Sequence, residues 1–290
     1  MNLDELTHKI SNLTIWKKNG QRAPHKPLLI LYALGQYQNF KKIDLPYEEV
    51  RYKLKNLLIE FGPPRKSYHP EEPFVRLVRD EVWELNTQVD IRKFSDKQLL
   101  TSGVVGGFNK DVINLLQNDP QLIKTIALQL LEDHFPDTMH NDILDEVGLD
   151  FSVIRKRPRD PMFREKVLRA YEYSCMVCGF NVRLGKNSLA LEAAHIKWHN
   201  AGGPDAEDNG VALCSMHHKL FDYGAFTITE KSEMLVSEEA YGTNGFEDWL
   251  MRFHGKTLRG PIRPEYSPKE VFLNWHVREV FKGKSRYRYS

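Results

Sequence analysis

The chain has 290 residues, of which 41% are hydrophobic and 28% charged, and this length favours two domains that each bury a core. No apolar run is long enough to span a bilayer, and the N-terminal residues lack the apolar stretch of a secretory signal. The three cysteines, an odd number at metal-ligand spacing, argue against a disulfide framework and indicate a reducing compartment, so we expect the cytoplasm.

The net charge of +2 conceals an uneven distribution along the chain. Residues 1–110 carry 18 basic and 13 acidic side chains, residues 111–150 carry one and nine, and residues 151–290 carry 22 and 17. Two basic regions on either side of an acidic one are compatible with nucleic-acid binding. Ordinary solvated surface explains the same balance and is the simpler interpretation of charge alone.

The first 150 residues are predicted to be mostly helical. Pro27 can occupy the first position of a helix that runs through Leu34. Pro46 opens a second helix with a single apolar stripe, and Gly62 ends it.

Turn residues then break the helical pattern. A proline-rich basic loop at 65–73 precedes two predicted short strands, 74–78 and 82–85. The glycines within 103–107 allow the backbone to approach another group closely. A further helix follows Pro120.

The pattern changes at 151–161, where charged residues and prolines interrupt all periodicity. We interpret this segment as a linker between domains at 1–150 and 162–290, and a surface loop within one domain is the alternative. A helix is predicted at 163–171, just before the first cysteine.

All three cysteines lie in one cluster, Cys175-x-x-Cys178 followed by Cys214-x-x-His217-His218. Two pairs of thiol and imidazole ligands are what a closed tetrahedral zinc site requires. Both histidines are neighbours of Cys214 on a helix, at i,i+3 and i,i+4, so the spacing alone does not decide which of them completes the site.

The segment between the two pairs predicts a strand over 188–196, followed by a return at Asn209 to the helix that bears His218. This arrangement resembles the zinc-bearing HNH endonucleases, and most closely their McrA-type subgroup, over about residues 160–228. The positions that carry the resemblance are Cys175, Cys178, His195, Asn209, Cys214, His217 and His218.

The resemblance implies a ββα-metal nuclease fold and a role for each matching residue. A phosphodiester is cleaved by an activated water while a divalent metal neutralises the developing charge. By this resemblance Cys175, Cys178, Cys214 and His217 hold structural Zn²⁺, His195 is the general base, His218 ligates a catalytic Mg²⁺ or Mn²⁺, and Asn209 orients the histidine loop or joins the ligands of that metal.

One position departs from the HNH pattern. Many of these enzymes have Asp or Glu as a metal ligand just before the base histidine, and here that position is Ala194. Glu192 is near, but on a regular strand it points to the face opposite the base, so only a bulge would bring it to the metal. The other candidates for the missing ligand are His199, which we prefer, Asp205 and Asp208.

The N-terminal half carries a second resemblance, over about residues 20–150. The segments 24–35, 69–77, 106–108 and 130–136 are similar to the sulfur-binding domain that is fused to HNH nucleases in type IV restriction enzymes. Those enzymes recognise phosphorothioated DNA, in which sulfur replaces a non-bridging phosphate oxygen.

Sulfur is more weakly hydrated than oxygen, so an apolar cup favours it, and the resemblance places Pro73 in that cup. The family often has an aromatic residue just before this proline. Here Glu72 stands in that position, and Tyr68 could fill the aromatic role. The resemblance places His25 and Lys26 on the DNA. Further candidates for phosphate contact are Arg65, Lys66 and Arg76.

These observations predict an α+β protein in which a mostly helical DNA-reading domain precedes a nuclease domain with structural zinc. We expect a modification-dependent restriction endonuclease that binds phosphorothioated duplex DNA and no membrane. Cleavage of both strands suggests a homodimer. The alternatives are an HNH enzyme directed to base-modified DNA, such as methylated DNA, and a catalytically inactive zinc DNA-binding module.

Overall fold

The computed structural model describes residues 1–15, 22–149 and 161–286. The chain forms two compact units, Met1–Arg155 and Lys156–Ser290. Both contain helices and strands, which confirms the predicted α+β class. The predicted linker at 151–161 lies outside the described residues except for Pro161, at which a helix begins. In the described part of the chain, no helix is both long and apolar enough to cross a membrane.

The first unit is built from helices around a small three-stranded antiparallel sheet with the order β1-β3-β2. Its helices are α1 (Leu3–Ser11), α2 (His25–Phe40), α3 (Tyr47–Phe61), α4 (Glu71–Arg76), α5 (Asp96–Thr101), α6 (Lys110–Asn118), α7 (Gln121–His134) and α8 (Asp137–Val147). Its strands are β1 (Leu45–Pro46), β2 (Trp83–Leu85) and β3 (Val105–Phe108).

Helix α2 is the centre of this unit, because its residues from Lys26 to Gly35 are all buried. It begins at His25, two residues before the predicted start at Pro27. Helix α3 confirms the second prediction, with Pro46 before its first residue and Gly62 after its last.

The predicted strand at 74–78 is wrong. This segment forms α4 and the 3-10 turn Leu77–Asp80 that continues it, and Phe74, Val75 and Leu77 are buried. Pro70 precedes the helix and two glutamates occupy its first turn, and both features favour a helix over a strand. The second predicted strand is present as β2, which pairs with β3.

The predicted close approach of the glycine segment is a contact inside the sheet. A Cβ on Gly107 would lie 1.9 Å from the carbonyl oxygen of Ile43. A Cβ on Gly106 would likewise lie only 2.8 Å from the indole nitrogen of Trp83. Any larger residue would push the strands apart here.

The second unit contains a short strand pair, β6 and β7, with a helix on each side. Its helices are α9 (Pro161–Ala170), α10 (Ser215–Asp222), α11 (Phe246–Trp249) and α12 (Glu270–Glu279). Its strands are β4 (Arg183–Leu184), β5 (Asn187–Ser188), β6 (Leu191–His195), β7 (Gly210–Cys214), β8 (Phe226–Ile228) and β9 (Met234–Val236).

Strands β6 and β7 run antiparallel in regular register, from Leu191 opposite Cys214 to His195 opposite Gly210. Helix α10 follows β7 directly, so the three elements form the expected ββα unit. Helix α9 packs so closely that a Cβ on Gly210 would lie 2.4 Å from Val167. These contacts fix the strand ends that carry the candidate site residues.

Candidate metal centre and active site

The three cysteines and His217 converge on one point. One ligand atom from each of Cys175, Cys178, Cys214 and His217 can be chosen so that all four lie within 4.8 Å of one another. The Sγ atom of Cys214 is 3.1 Å, and that of Cys175 3.7 Å, from Nδ1 of His217. Three thiols and one imidazole at this separation fit a tetrahedral zinc ion. The described residues contain no other cluster of this kind.

The local sequence explains why His217 joins this cluster. Cys214 precedes the first residue of α10, and His217 lies three residues later on the same helix face. Its Nε2 donates to the carbonyl of Trp249 at 2.8 Å, which directs Nδ1 to the thiols.

His195 lies at the end of β6, in a separate and mostly buried position. Its Nε2 is 2.7 Å from Oδ1 of Asp205, and its ring stacks on that of Phe163 with the centroids 4.0 Å apart. In the neutral imidazole, the proton on Nε2 is donated to the carboxylate and the lone pair is on Nδ1. The contacts therefore fix both the orientation and the tautomer of His195.

Asn209 is completely buried and bridges the two ends of the loop between the strands. Its Oδ1 accepts from the backbone nitrogen of Lys197 at 2.9 Å. Its Nδ2 donates to the carbonyls of Lys197 and Pro204 at 3.0 and 2.9 Å. The loop can close this tightly because Gly203 has no Cβ, which would lie 1.8 Å from the Lys197 oxygen. These contacts orient the loop that carries Asp205.

His218 points away from the thiols and is held between two carboxylates. Its Nδ1 is 2.6 Å from Oε2 of Glu192, and its Nε2 is 3.2 Å from Oδ2 of Asp222. Burial on its own would lower the pKa of His218, but Asp222 and Glu192 raise it to about 9. A divalent ion at this ring would therefore replace a proton that two carboxylates already favour.

Glu192 reaches His218 without a bulge, because the β6–β7 register is regular throughout. Residues 192 and 194 share one strand face, so Glu192 lies on the face where the HNH pattern places its carboxylate at position 194. Ser215 donates to Oε1 of Glu192 at 2.9 Å and fixes the side chain. The site thus contains a carboxylate on the expected strand face, two residues before the position that the HNH pattern predicts.

The other candidates for that ligand lie elsewhere. His199 is 66% exposed and sits 4.0 Å from Asp205, beside the ring of His195. Asp208 is 2.6 Å from the ammonium of Lys269. Asp205 contacts His195, as described above.

Two residues of this site, Asp222 and Phe163, were not predicted from the sequence. Asp222 is buried, and it joins His218 to Trp198, whose indole nitrogen donates to Oδ1 at 3.1 Å. The available signal was the i,i+4 spacing of His218 and Asp222 on one helix. Phe163, the stacking partner of His195, lies 32 positions away in the sequence and carried no such signal.

The predicted DNA-reading residues of the first unit occupy different environments. His25 is close to Arg65 and His69, and burial together with these neighbours lowers its pKa to about 4. Lys66 is exposed and Tyr68 is half-buried. Arg65 also donates to the carbonyl of Pro64 at 3.0 Å.

Three further predicted residues are buried, paired with a carboxylate, or both. Lys26 is buried, and its ammonium is paired with Asp80. Pro73 is buried inside α4. The guanidinium of Arg76 is paired with Glu72 one turn earlier, and it lies 5.7 Å from the centre of the Phe94 ring.

The fold and the cluster in the second unit define the class of this protein, a DNA endonuclease of the HNH type. Residues 175–229 match the family model of the HNH endonucleases. Residues 3–152, more than half of the chain, match the model described as the ScoMcrA-like DNA sulfur-binding domain, and the chain belongs to that family. Both resemblances predicted from the sequence are confirmed. The pairing supports a modification-dependent endonuclease that binds DNA.

Several solved structures are similar to about half of the chain. The sulfur-binding domain of ScoMcrA complexed with phosphorothioated DNA is 22% identical over 49% of this chain and 94% of that chain, with a TM-score of 0.42. The corresponding SprMcrA domain is 18% identical over 51% of this chain and 95% of its own, with a TM-score of 0.45. The type IV phosphorothioation-dependent restriction endonuclease ScoMcrA is 20% identical over 51% and 28%, with a TM-score of 0.40. No curated protein matches the chain.

Proposed function

We propose that this chain binds phosphorothioated duplex DNA through its first unit and hydrolyses phosphodiester bonds nearby with its second. The observation that carries the proposal is the position of His218, whose two ring nitrogens face Asp222 and Glu192. A structural zinc site is complete with four ligands, so it does not require a second histidine held between two carboxylates beside them. The family match of residues 3–152 supports sulfur in DNA as the recognised mark.

Two metal sites with different tasks fit these residues. Cys175, Cys178, Cys214 and His217 offer a closed set of four ligands, which suits structural Zn²⁺. Glu192 and His218 would hold one Mg²⁺ or Mn²⁺, with Asp222 fixing the histidine through its other nitrogen, as carboxylates commonly do for metal-bound imidazoles. Such an ion supplies neutralisation of charge on the scissile phosphate and on the leaving oxygen.

The chain itself supplies the proton acceptor and its support. His195 removes a proton from the attacking water, and Asp205 holds the imidazole and stabilises its protonated form. Of the two roles expected for Asn209, we favour the orientation of the histidine loop, because its amide already makes three hydrogen bonds to that loop. His199 lies on the side of the base and is not required as a ligand.

In the first unit, we propose that His25, Arg65, Lys66 and Tyr68 form the contact surface for the DNA backbone around the mark. Direct phosphate contact by Lys26 would require it to leave Asp80, so we assign it a supporting role. Two strands must be cut, which favours a homodimer. The three free cysteines favour the cytoplasm.

A specific observation favours a second candidate, recognition of a modified base instead of sulfur. Glu72 stands where an aromatic wall of the sulfur cup is expected, and its carboxylate is paired with Arg76. This ion pair beside Pro73 makes the wall polar, and a polar wall loses the preference for weakly hydrated sulfur.

Cleavage of three plasmids of identical sequence tests both candidates. One is phosphorothioated, one is methylated and one is unmodified, and each is incubated with Mn²⁺ or Mg²⁺. We expect only the phosphorothioated plasmid to be cut, and we expect His195→Ala to lower the rate about 10²–10⁴-fold. His199→Ala is the matched control, and it should cut at the wild-type rate.

The other outcomes each remove one part of the proposal. Cutting of only the methylated plasmid would replace sulfur with a modified base. Equal cutting of all three would remove modification dependence. A loss of activity in His199→Ala equal to that in His195→Ala would return His199 to the ligand set.

A further inference from the structure

A β-hairpin follows the Cys175–Cys178 turn, and it projects from the second unit. Strands β4 and β5 pair Arg183 with Ser188 and Leu184 with Asn187. The register continues because the backbone nitrogen of Leu189 donates to the carbonyl of Val182 at 3.0 Å. Every residue from 181 to 190 is exposed except Ser188, which is half-buried.

One face of this hairpin is apolar. Val182 is 50% exposed, Leu184 71% and Leu189 42%. Residues two apart on a strand share a face, and Leu189 lies opposite Val182, so all three side chains lie on the same side. A two-stranded hairpin is marginally stable by itself, and three exposed aliphatic side chains on one of its faces indicate a binding surface.

The opposite face holds the hairpin in place. The guanidinium of Arg183 lies 4.6 Å from the centre of the Tyr173 ring. The hydroxyl of Tyr173 donates in turn to Glu165 on α9. The apolar face is therefore presented outward from a fixed base.

The charge around this face selects its partner. Residues 173–191 include Arg183 and Lys186 and no aspartate or glutamate. A second copy of the chain, packed face to face, would bring the same cations together without an anion between them, which is unfavourable. A DNA duplex offers phosphates to the cations and stacked bases to the leucine, because apolar side chains can wedge between base steps from the minor groove.

We propose that the hairpin is a DNA-contacting element of the nuclease unit, in which Leu184 enters the minor groove and Lys186, exposed in the turn, binds a flanking phosphate. The proposal rests on the proposed function to the extent that both require duplex DNA as the substrate. It adds a contact that depends on neither the mark nor the metals.

Binding of the full chain to an unmodified 30-base-pair duplex tests the proposal, with Ca²⁺ present so that no cutting is required. Fluorescence anisotropy should show a five- to tenfold weaker affinity for Leu184→Ala with an unchanged salt dependence. Lys186→Gln should reduce the slope of log affinity against log salt by about 0.9, the value for one lost phosphate contact. The matched control is Val271→Ala, because Val271 is 64% exposed on α12 of the same unit. It should bind like the wild type.

A photocrosslinking amino acid at position 184 identifies the partner directly, with position 271 as its control. Crosslinks to the duplex from position 184 alone support the proposal. Crosslinks to a second chain, together with a shift from dimer to monomer in Leu184→Ala, would overturn it, as would unchanged DNA binding in both hairpin variants. Failure of the proposed function is a separate result, since it appears as absent or unselective cutting while these binding readouts stay intact.

Discussion

Carboxylates surround the functional candidates in both units, but with opposite consequences. In the second unit, Asp205 holds His195, and Asp222 holds His218. In the first unit, Asp80 holds Lys26, and a glutamate holds Arg76. An imidazole gains a fixed tautomer and direction from such a partner, whereas a cation loses the freedom to bind phosphate. Pairing with a carboxylate therefore orients the two histidines of the proposed active site in the second unit, whereas it neutralises two candidate DNA-binding cations in the first unit.

The largest expected effect comes from opening the zinc cluster. Cys178→Ala removes one of four ligands, and we expect loss of bound zinc, unfolding of the second unit and complete loss of cutting, because a closed zinc site contributes directly to folding. Metal analysis, hydrogen exchange and plasmid cleavage report these three effects. Met176→Leu is the control, because Met176 lies between Cys175 and Cys178 in the sequence, and this variant should keep its zinc.

The same variant tests whether the two units are independent. The affinity for phosphorothioated DNA that we propose for the first unit should persist when the second unit is unfolded. Loss of that affinity together with loss of zinc would show that DNA binding by the first unit also depends on the metal centre. The two units would then not be independent.

The next effect concerns Lys26, whose partner Asp80 would be left buried without a counter-charge. Lys26→Met is expected to destabilise the first unit by about 3–5 kcal/mol, which urea denaturation can measure. The double variant Lys26→Met/Asp80→Leu removes both charges and should recover most of this loss. If Lys26 instead contacts phosphate, the single variant would keep its stability and lose about 0.9 from the salt slope of DNA binding.

These pairings also separate what the sequence can predict from what it cannot. The three cysteines were predictable as a metal cluster because metal geometry requires short, fixed spacings, whereas spacing left His217 and His218 open and only the resemblance to the HNH endonucleases favoured His217. Helix α3 was predictable because proline and glycine mark its two ends. No local pattern links Lys26 to Asp80, which lies 54 positions later, and only the tertiary fold brings them together.

One prediction is wrong and another is incomplete, and in both cases tertiary packing supplies what the local pattern lacks. The apolar residues at 74–78 suggested a strand, but Pro70 and the two glutamates that precede them favour the start of α4, and the fold buries the apolar side chains there. Glu192 was predicted to need a bulge to reach the metal, because it faces away from His195. That face is the one toward α10, where His218 lies, so the strand alternation was right and the conclusion drawn from it was incomplete.

A smaller effect is expected at Asp222, which orients His218 without reaching the proposed metal. Asp222→Asn should raise the Mn²⁺ concentration needed for half-maximal cutting about 10–100-fold, with DNA affinity unchanged. Asp208→Asn is the control, since Asp208 is paired with Lys269 and should show no change in metal dependence. Equal effects of the two substitutions would indicate a general loss of structure, and no effect of Asp222→Asn would remove it from the support of the metal site.

The smallest expected effect is the pH dependence of the stability of the first unit that His25 causes. Burial holds the pKa of His25 at about 4 in the folded state, below 6.5 in the unfolded chain, with Arg65 and His69 contributing. Between these values the unfolded chain binds more protons, so stability is full above pH 6.5 and declines as the pH falls toward 4. By pH 5 the loss amounts to about 2 kcal/mol at most.

Urea denaturation at pH 7 and pH 5, with hydrogen exchange of the α2 amides, measures this loss. His25→Gln should remove the part of the pH dependence that comes from this residue, while His69→Gln, at an exposed position, should keep it. An unchanged slope in His25→Gln would mean that His25 is solvated and charged at pH 5, like an ordinary surface histidine. His25 would then offer phosphate a cation where the folded pKa predicts a neutral hydrogen-bonding ring.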